Sequence, residues 1–395
     1  MGRTVSALVT SGRDYLGAVG PFAVGVAWWS EVEPVVAHLS RALGVPVLVL
    51  RLVRVEGGEG GRDGHVTYHV EALRRPAPGL LDRRPVDQAV LTAPEDLRSP
   101  WARREGLLAA LRWASEALDA AGRPMTGPAV QRRTWNLSGV FRLPTARGAV
   151  WLKTTPPFAA DEAAVIAALA GPAPDLVPKV IAAGERRILL EHLPGEDCWD
   201  APAEVVTSAV RRLVAAQAAV TGRPPGLRDR RDRVMAEEIG ELLDGEVAGD
   251  LTAGELAAAR DLAGRWPLLA DCGLPDTIVH GDFHPGNWRS DGGPPVVMDF
   301  ADAYFGNPVL DGLRACDFLP AARRPLAARV WAEAWRSRVP GCEPGRALTV
   351  AAPLAHLAYA VRYQEFLSGI EPAERVYHAG DPAAVIRAAL RCASA

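Results

Sequence analysis

Three polar residues in the C-terminal half have types and spacing suited to phosphoryl transfer. Asp282 lies two residues after His280 and five before Asn287, and Asp299 follows at the end of an apolar run. Moving a γ-phosphoryl group requires an aspartate that orients the attacking hydroxyl and oxygen ligands for magnesium. Any one of these residues alone usually makes local turn hydrogen bonds, but their joint spacing favours a catalytic centre.

Lysine is scarce in this chain, which draws attention to the positions that keep it. Of the 44 basic residues only Lys153 and Lys179 are lysine, so the other 42 are arginine. Arginine and lysine differ in geometry and hydration, so a retained lysine indicates a need for a compact point charge. Lys153 ends an apolar strand and is the candidate, although an exposed strand-end cation is the alternative. Lys179 has no such context and is interpreted as a surface residue.

The elements that must position these residues change in type along the chain. Three apolar strands with tight turns, a helix and two more short strands predict a small β-rich lobe at residues 126–194. From residue 195 to 395 the pattern is mostly helical, interrupted by the short apolar strands Thr277–Val279 and Val296–Met298. Those two strands deliver the polar motifs, so Asp282 and Asp299 are expected at strand ends.

Residues 1–97 are predicted to form a separate small α/β accessory domain of unknown role. Its predicted elements are a strand at Val5–Val9, a helix near Glu31–Leu43, and strands at Val45–Val53 and His65–Val70. The glycine-rich stretch Gly57–Gly64 is predicted to be a hairpin loop, because no helix follows it to form a phosphate site. Residues 98–125 are predicted to be a linking helix, ended by Gly122 and Pro124.

The C-terminal motifs resemble those of the aminoglycoside phosphotransferase and choline kinase family. The resemblance covers residues 126–395 and rests on three segments: His280-Gly-Asp-Phe-His-Pro-Gly-Asn287, Val297-Met-Asp-Phe300 and Gly306-Asn-Pro-Val-Leu-Asp311. The first segment also has the spacing of the protein-kinase catalytic loop. The resemblance implies an α+β, two-lobed protein-kinase-like fold, here preceded by the accessory domain. It further implies ATP and Mg²⁺ as cofactors.

The resemblance assigns expected roles to residues of the larger lobe. Asp282 is expected to be the catalytic base, Asn287 and Asp299 the magnesium ligands, and Asp311 a structural acid. The family often has a histidine where this chain has Gln217, a departure expected to affect packing. His280 and His284 are expected to brace the loop, because their surroundings do not form a zinc site.

In the smaller lobe the resemblance points to nucleotide contacts. Lys153 ends the third strand, where kinases place the lysine that contacts the α- and β-phosphates. Glu162 is favoured as its ion-pair partner, with adjacent Asp161 as the alternative. The Asn136–Gly139 turn, with Ser138, is expected to approach the phosphates or to be an ordinary hairpin turn.

Glu191 and Leu193 flank the expected hinge, whose backbone would meet adenine. If the acceptor is cationic, acids near this hinge are candidates for binding it, with solvated surface charges as the alternative interpretation. These acids are Asp197, Asp200, Glu365 and Glu371.

Composition limits the classes of partner. A net charge of -3 and a pI near 6.3 argue against nucleic acid, and no apolar run approaches the ~20 residues that span a membrane. The five cysteines are odd in number and form no Cys-x-x-Cys pair. We therefore expect reduced thiols, a cytoplasmic location and a small hydroxylated partner. The sequence leaves the oligomeric state open.

Three functions remain in view. The leading one is an ATP-dependent O-phosphotransferase acting on an aminoglycoside-like antibiotic, a sugar or an amino alcohol. The second is a kinase-like regulatory protein that binds nucleotide without transfer, which the joint presence of Lys153, Asp282, Asn287 and Asp299 disfavours. The third treats residues 1–97 as a second enzyme, because their element order loosely resembles a Nudix-like domain. The metal-binding acid pairs of that family are missing here.

Overall fold

The computed structural model describes residues 2–220 and 222–394, and its elements are strand-rich in the first half and helical in the second. The strands are β1 Arg3–Ser11, β2 Asp14–Val24, β3 Val47–Glu56, β4 His65–Ala72, β5 Val130–Trp135, β6 Ser138–Thr145, β7 Gly148–Thr154, β8 Val180–Gly184, β9 Arg187–Glu191, β10 Glu196–Asp197, β11 Asp229–Arg230, β12 Thr277–Val279, β13 Trp288–Ser290, β14 Val296–Val297 and β15 Tyr304–Gly306. The helices are α1 Glu33–Leu43, α2 Ala89–Thr92, α3 Arg104–Ala120, α4 Glu162–Ala170, α5 Ala203–Ala219, α6 Asp232–Asp244, α7 Ala253–Ala263, α8 Val309–Asp317, α9 Arg324–Arg336, α10 Pro344–Gly369 and α11 Asp381–Ala393. The predicted α+β class is confirmed.

Residue contacts divide the described chain into two compact units. The sheet unit contains residues 2–157, 181–192 and 366–379, and the helical unit contains residues 158–180, 193–365 and 380–394. Helix α4 belongs to the helical unit, whereas the segment between α10 and α11 belongs to the sheet unit. The division into four consecutive segments at residues 97, 125 and 194 stays a prediction.

The first sheet of the sheet unit has the strand order β2-β1-β4-β3. Strands β1 and β4 run parallel, and each also has an antiparallel neighbour, β2 and β3 respectively. Helix α1 buries Val35, Leu39 and Leu43 in the core that this sheet forms. The glycine-rich stretch joins β3 to β4, as the hairpin interpretation predicted.

The second sheet carries the candidate nucleotide residues of the sheet unit. Its order is β5-β6-β7-β9-β8, and β5, β6, β7 and β9 pair antiparallel in that sequence. Helix α3 packs on it through Leu107, Ala110, Ala114 and Leu118, which share a core with residues of β6, β7 and β9. Burial of this apolar stripe adds tertiary packing to the high intrinsic helix propensity of its alanines, leucines, glutamates and arginines.

The segment 366–379 contributes two buried acids to the sheet unit. The Glu371 carboxylate accepts a hydrogen bond from Arg98 Nε at 3.0 Å and lies 3.4 Å from Arg51 Nη1. Glu374 Oε1 accepts the backbone N–H of Leu52 at 3.3 Å. Burial, reinforced by the charge of neighbouring Glu371, raises the pKa of Glu374 to about 8.

We expect the stability of the protein to fall as the pH rises between the two pKa values of Glu374. The ordinary pKa of 4.5 governs the unfolded chain and the value near 8 the folded one, so the folded state keeps a proton that the unfolded state has lost. The free energy of unfolding should therefore fall by up to about 1.4 kcal/mol per pH unit in this window. Urea unfolding across the window measures the slope. Glu374→Gln should flatten the slope, and a variant as steep as the wild type would contradict this assignment.

Short strands in the helical unit fix the position of the polar motifs. Strand β12 is fully buried and pairs with β15, while β13 pairs antiparallel with β14. The loop 280–287 therefore runs from the end of β12 to the start of β13, and Asp299 lies two residues beyond β14. The expectation that both motifs lie at strand ends is confirmed.

Helices pack around these strands. Helix α5 contacts β12 and α9, and α8 also contacts α9. Trp331 and Trp335 of α9 are almost completely buried. Within residues 2–220 and 222–394, no helix combines the length and apolar character that crossing a membrane requires.

Candidate active site

The loop between β12 and β13 is closed by its own backbone. His284 N–H donates to the Asp282 carbonyl at 3.0 Å, and Asn287 N–H donates to the His284 carbonyl at 2.8 Å. A 3₁₀ turn over Pro285–Asn287 completes the loop. These local bonds bring the polar side chains of the loop within hydrogen-bonding distance of one another.

The Asp282 carboxylate is surrounded by hydrogen-bond donors. Its Oδ1 accepts from Arg314 of α8, with Nε at 2.8 Å and Nη2 at 2.7 Å. Its Oδ2 accepts from His284 Nε2 at 3.2 Å and from Asn287 Nδ2 at 3.1 Å. The side chain nevertheless remains 26% exposed, so a substrate hydroxyl can reach it.

The hydrogen bonds also indicate which ring nitrogen carries the proton in the neutral form of each histidine of the loop. His284 Nδ1 accepts the N–H of Gly286 at 3.1 Å, so in the neutral ring the proton lies on Nε2 and faces Asp282. His280 Nδ1 likewise accepts the N–H of Asp282 at 3.2 Å, and its Nε2 donates to the Met298 carbonyl at 3.0 Å. Both rings therefore brace the loop, the role expected from sequence.

Charge keeps Asp282 ionised. Burial alone would raise the pKa of this carboxyl, but the hydrogen bond from His284 and the positive charge of Arg314 outweigh it and hold the pKa below its usual range. Burial would likewise lower the pKa of Arg314, yet the Asp282 carboxylate raises it. Asp282 is thus an anion at neutral pH, able to accept a hydrogen bond from an acceptor hydroxyl.

Asp311, on the first turn of α8, holds the start of the loop through hydrogen bonds to its backbone. Its carboxylate accepts the backbone N–H groups of His280 at 2.8 Å and Gly281 at 3.1 Å, and the Nε2 of Gln217 at 2.7 Å. Gln217 also donates to the Ile278 carbonyl at 2.9 Å. Asp311 is completely buried. The glutamine therefore links α5, β12 and α8, a structural role consistent with the expectation that it affects packing.

A backbone hydrogen bond connects Asn287 to Met298, the residue that directly precedes Asp299. The backbone N–H of Met298 donates to the Asn287 carbonyl at 2.9 Å. Asn287 Nδ2 donates to the backbone carbonyl and carboxylate of Asp282, so its Oδ1 is the atom suited to bind a cation. Asp299 has φ 66°, a left-handed conformation that is rare for residues other than glycine. Such strain is concentrated at functional sites.

These donors suit magnesium better than softer metals. Amide and carboxylate oxygens are hard ligands, and Mg²⁺ usually takes one or two protein carboxylates together with phosphate oxygens and water. Across the described ranges 2–220 and 222–394, no three His, Cys, Asp or Glu side chains gather as a metal-binding group. The expectation that Asn287 and Asp299 bind magnesium stays a prediction.

The candidate nucleotide residues of the sheet unit lie on its second sheet. Lys153 is on β7 and pairs with Val140 of β6 and Ile188 of β9. Ser138 opens β6, and its hydroxyl accepts the indole N–H of Trp135 at 2.9 Å. Their roles toward a nucleotide stay predictions.

Three further candidates lie near the ends of their elements. Glu191, at the end of β9, accepts a hydrogen bond from Arg123 at 2.6 Å. The Leu193 carbonyl, in the helical unit, accepts one from Arg289 at 2.9 Å. At the start of α4, Asp161 is the N-cap and accepts the N–H groups of Ala163 and Ala164. Its neighbour Glu162 is 6% exposed. Asp161 therefore serves the helix end, and the pairing of Glu162 with Lys153 stays a prediction.

Comparison with known proteins identifies the family. The sequence model of the phosphotransferase enzyme family matches residues 126–354, more than half of the 395-residue chain. The chain belongs to this family. The predicted resemblance is thereby confirmed, and the chain is a small-molecule phosphotransferase. No curated protein matches the sequence.

Solved structures are similar to this phosphotransferase over about 70% of its chain. A putative fructosamine-3-kinase from Thermobifida fusca has a TM-score of 0.52 and 20% identity over 70% of this chain and 98% of that chain. A choline/ethanolamine kinase family protein from Mesorhizobium loti has a TM-score of 0.49 and 18% identity over 71% and 99%. A thermostable aminoglycoside phosphotransferase, solved with AMP-PNP and hygromycin B, has a TM-score of 0.48 and 19% identity over 69% and 97%.

Arg314 is the residue of the phosphotransferase site that the sequence did not indicate. It lies 32 residues from Asp282. Its guanidinium stacks on Phe318 at 4.4 Å and on Tyr359 at 4.9 Å, which fixes its orientation. In a chain with 42 arginines, no single arginine is conspicuous.

We expect Arg314→Met to shift the pH dependence of phosphotransferase activity. Loss of a neighbouring positive charge raises a carboxyl pKa by about 1–3 units. Asp282 would then protonate at a higher pH, so the acid limb of kcat/KM should move upward by a similar amount. The exposed Arg211→Met on α5 is the matched control. Rates measured across the acidic range test this, and an unmoved acid limb would assign Arg314 a purely structural role.

Proposed function

We propose that this phosphotransferase moves the γ-phosphoryl group of ATP to a hydroxyl of a small molecule. The observation that carries the proposal is the ionised, partly exposed Asp282, held by Arg314 and His284 beside Asn287. A carboxylate fixed in this way can accept a hydrogen bond from the acceptor hydroxyl. It can thereby orient the hydroxyl oxygen toward the γ-phosphorus. Mg-ATP, when bound, would supply the γ-phosphoryl group, and its magnesium would offset the negative charge of the phosphate oxygens.

The other residues receive roles consistent with this chemistry. Asn287 and Asp299 would hold magnesium through Oδ1 and the carboxylate, and the strained backbone of Asp299 supports that assignment. Lys153 would contact the nucleotide phosphates, with Glu162 as its ion-pair partner. These assignments rest on residue chemistry and on membership of the family.

Ser138 and the backbone around Glu191 and Leu193 would position the nucleotide. The Ser138 hydroxyl accepts from Trp135, and its own proton is the group suited to a phosphate oxygen. The Leu193 carbonyl already accepts from Arg289, so hinge recognition would fall to other backbone groups of this segment.

ADP production with a panel of acceptors tests the proposal. The panel contains neutral sugars, polycationic aminocyclitols and amino alcohols, each with ATP and with or without Mg²⁺. We expect ADP release that depends on both acceptor and magnesium. Nucleotide binding without acceptor-dependent ADP release from any class would instead favour the regulatory alternative.

A further inference from the structure

An exposed aromatic group adjoins the catalytic loop in the helical unit. The rings of Trp199 and His284 stack with centroids 5.2 Å apart, and Phe318 lies 4.7 Å from His284 and 6.2 Å from Trp199. Trp199 is 44% exposed and Phe318 is 40% exposed. We name these three side chains the aromatic shelf.

The shelf contrasts with the other tryptophans of the helical unit. Trp266, Trp288, Trp331 and Trp335 are all at most 1% exposed. Large apolar side chains that adjoin one another in solvent are characteristic of interaction surfaces. The shelf therefore requires an explanation other than core packing.

The backbone holds Trp199 in place beside the loop. The N–H of Cys198 donates to the carbonyls of Pro285 at 2.9 Å and Trp288 at 3.1 Å. At Gly286 an added Cβ would lie 2.2 Å from the Trp199 ring, so only glycine permits this approach. The indole is thus fixed against the catalytic loop despite its exposure.

Two side chains connect the shelf directly to the catalytic carboxylate. His284 is part of the shelf and donates to Asp282 Oδ2 at 3.2 Å. Arg314 stacks on Phe318 at 4.4 Å and donates to Asp282 Oδ1 at 2.8 Å. A ring lying on the shelf would therefore place its edge hydroxyls within reach of Asp282.

Several acids near the loop are already paired with arginines. Glu365 is paired with Arg228, Arg230 and Arg362, and Asp197 is paired with Arg289 at 2.9 Å. Asp302, which lines the small cavity beside Gly281, is paired with Arg362.

The two remaining hinge acids differ in their surroundings. Glu371 belongs to the sheet unit, where Arg51 and Arg98 neutralise it. Asp200 lies on the exposed surface. The cation beside the shelf is Arg314, whose guanidinium lies 4.4 Å from the Phe318 ring and is paired with Asp282. The exposed Asp317 directly precedes Phe318.

We propose that the aromatic shelf binds the acceptor, and that this acceptor is an uncharged hydroxylated ring, a sugar or a glycoside. The C–H face of a sugar ring packs against an indole, while its equatorial hydroxyls point outward from the ring edge. One of these hydroxyls would accept the phosphoryl group beside Asp282. The inference rests on the proposed function and names the substrate class of the same site.

Binding measurements test the shelf without requiring turnover. Saturation-transfer NMR with the enzyme, Mg-ADP and either neutral methyl glycosides and disaccharides or kanamycin and choline reports which class binds. We expect neutral sugars to bind, and Trp199→Ala to weaken them by about tenfold or more. Trp199→Phe should restore most of the affinity, because it keeps an aromatic face.

The matched control is Trp28→Ala, since Trp28 is equally exposed at 49% but lies in the sheet unit. We expect it to leave sugar binding unchanged. Asp317→Asn removes the negative charge next to Phe318. If the acceptor is a cation, this variant should bind it more weakly. Kanamycin or choline binding that Asp317→Asn weakens and Trp199→Ala does not would overturn the proposal. So would failure of every neutral sugar to bind.

The failures of the two proposals are distinguishable. Sugar binding through Trp199 without acceptor-dependent ADP release would refute phosphoryl transfer and leave the shelf standing. Phosphorylation of a cationic acceptor at equal kcat/KM in wild type and Trp199→Ala would refute the shelf and leave phosphoryl transfer standing.

Discussion

Asp282→Asn should lower acceptor phosphorylation by roughly 10²–10⁴-fold while Mg-nucleotide binding persists. Asparagine matches the size of aspartate but lacks the negative charge with which the carboxylate binds the proton of the acceptor hydroxyl. It also leaves Arg314 opposite a neutral amide. Because the substitution removes the catalytic carboxylate and not a nucleotide contact, we expect kcat to fall. Steady-state kinetics and calorimetric titration with Mg-ADP separate the two effects.

The matched control for this substitution is Asp291→Asn. Asp291 lies on the exposed turn between β13 and β14, where its Oδ1 accepts the N–H of Gly293 at 3.3 Å. Asparagine can make the same bond, so activity should be retained. If Asp282→Asn turned over at a rate within a few-fold of this control, Asp282 would not be the catalytic carboxylate.

Asp311→Ala should destabilise the protein by several kcal/mol. The substitution orphans the buried N–H groups of His280 and Gly281, each at a cost of about 1–3 kcal/mol, and leaves a void beside Gln217. Because those N–H groups belong to the catalytic loop, activity should fall even below the unfolding temperature. Chemical denaturation measures the stability and kinetics at low temperature measures the activity.

Asp311→Asn provides a graded comparison. Its amide oxygen can accept some of the hydrogen bonds, but its NH₂ group then opposes a donor, so an intermediate loss is expected. Burial raises the pKa of Asp311, although hydrogen bonds from His280 and Gly281 oppose this shift. Equal stability of the alanine variant and the wild type would show that the loop does not depend on this carboxylate.

The parts of the fold that sequence predicted are those with strong local signals. Strand β12 has the predicted bounds, and the β3–β4 hairpin follows from an apolar run and a glycine-rich turn. Strand β2 was not predicted because Gly17, Gly20 and Pro21 interrupt its apolar pattern. The two-residue strands β10 and β11 exist through their hydrogen-bonded partners, which no local pattern reveals.

Helix α8 was also missed, and it carries two site residues. It has only nine residues and contains Gly312, so its periodic signal is weak. The glycine is explained by packing, because an added Cβ would lie 2.8 Å from the Trp331 ring. Tertiary contact therefore decides the presence of this helix.

The site residues, like the fold, divide into those that local sequence patterns predicted and those that only the structure reveals. Asp282 and Asn287 share one short loop, so their spacing carried the prediction. Arg314 comes from a distant helix, and no spacing rule links it to Asp282. The sequence favoured Glu162 but left Asp161 as an alternative, and the structure shows that Asp161 caps helix α4. Long-range contacts thus supply what local patterns cannot.

Phosphorus NMR of the reaction mixture tests the central claim most directly. The wild-type protein is incubated with Mg-ATP and an acceptor that the ADP screen identifies. Transfer predicts a new phosphate monoester signal that grows as ADP forms, and that is coupled to a carbinol proton of the acceptor. ADP accompanied only by inorganic phosphate, at a rate that the acceptor does not change, would contradict phosphoryl transfer to a hydroxyl.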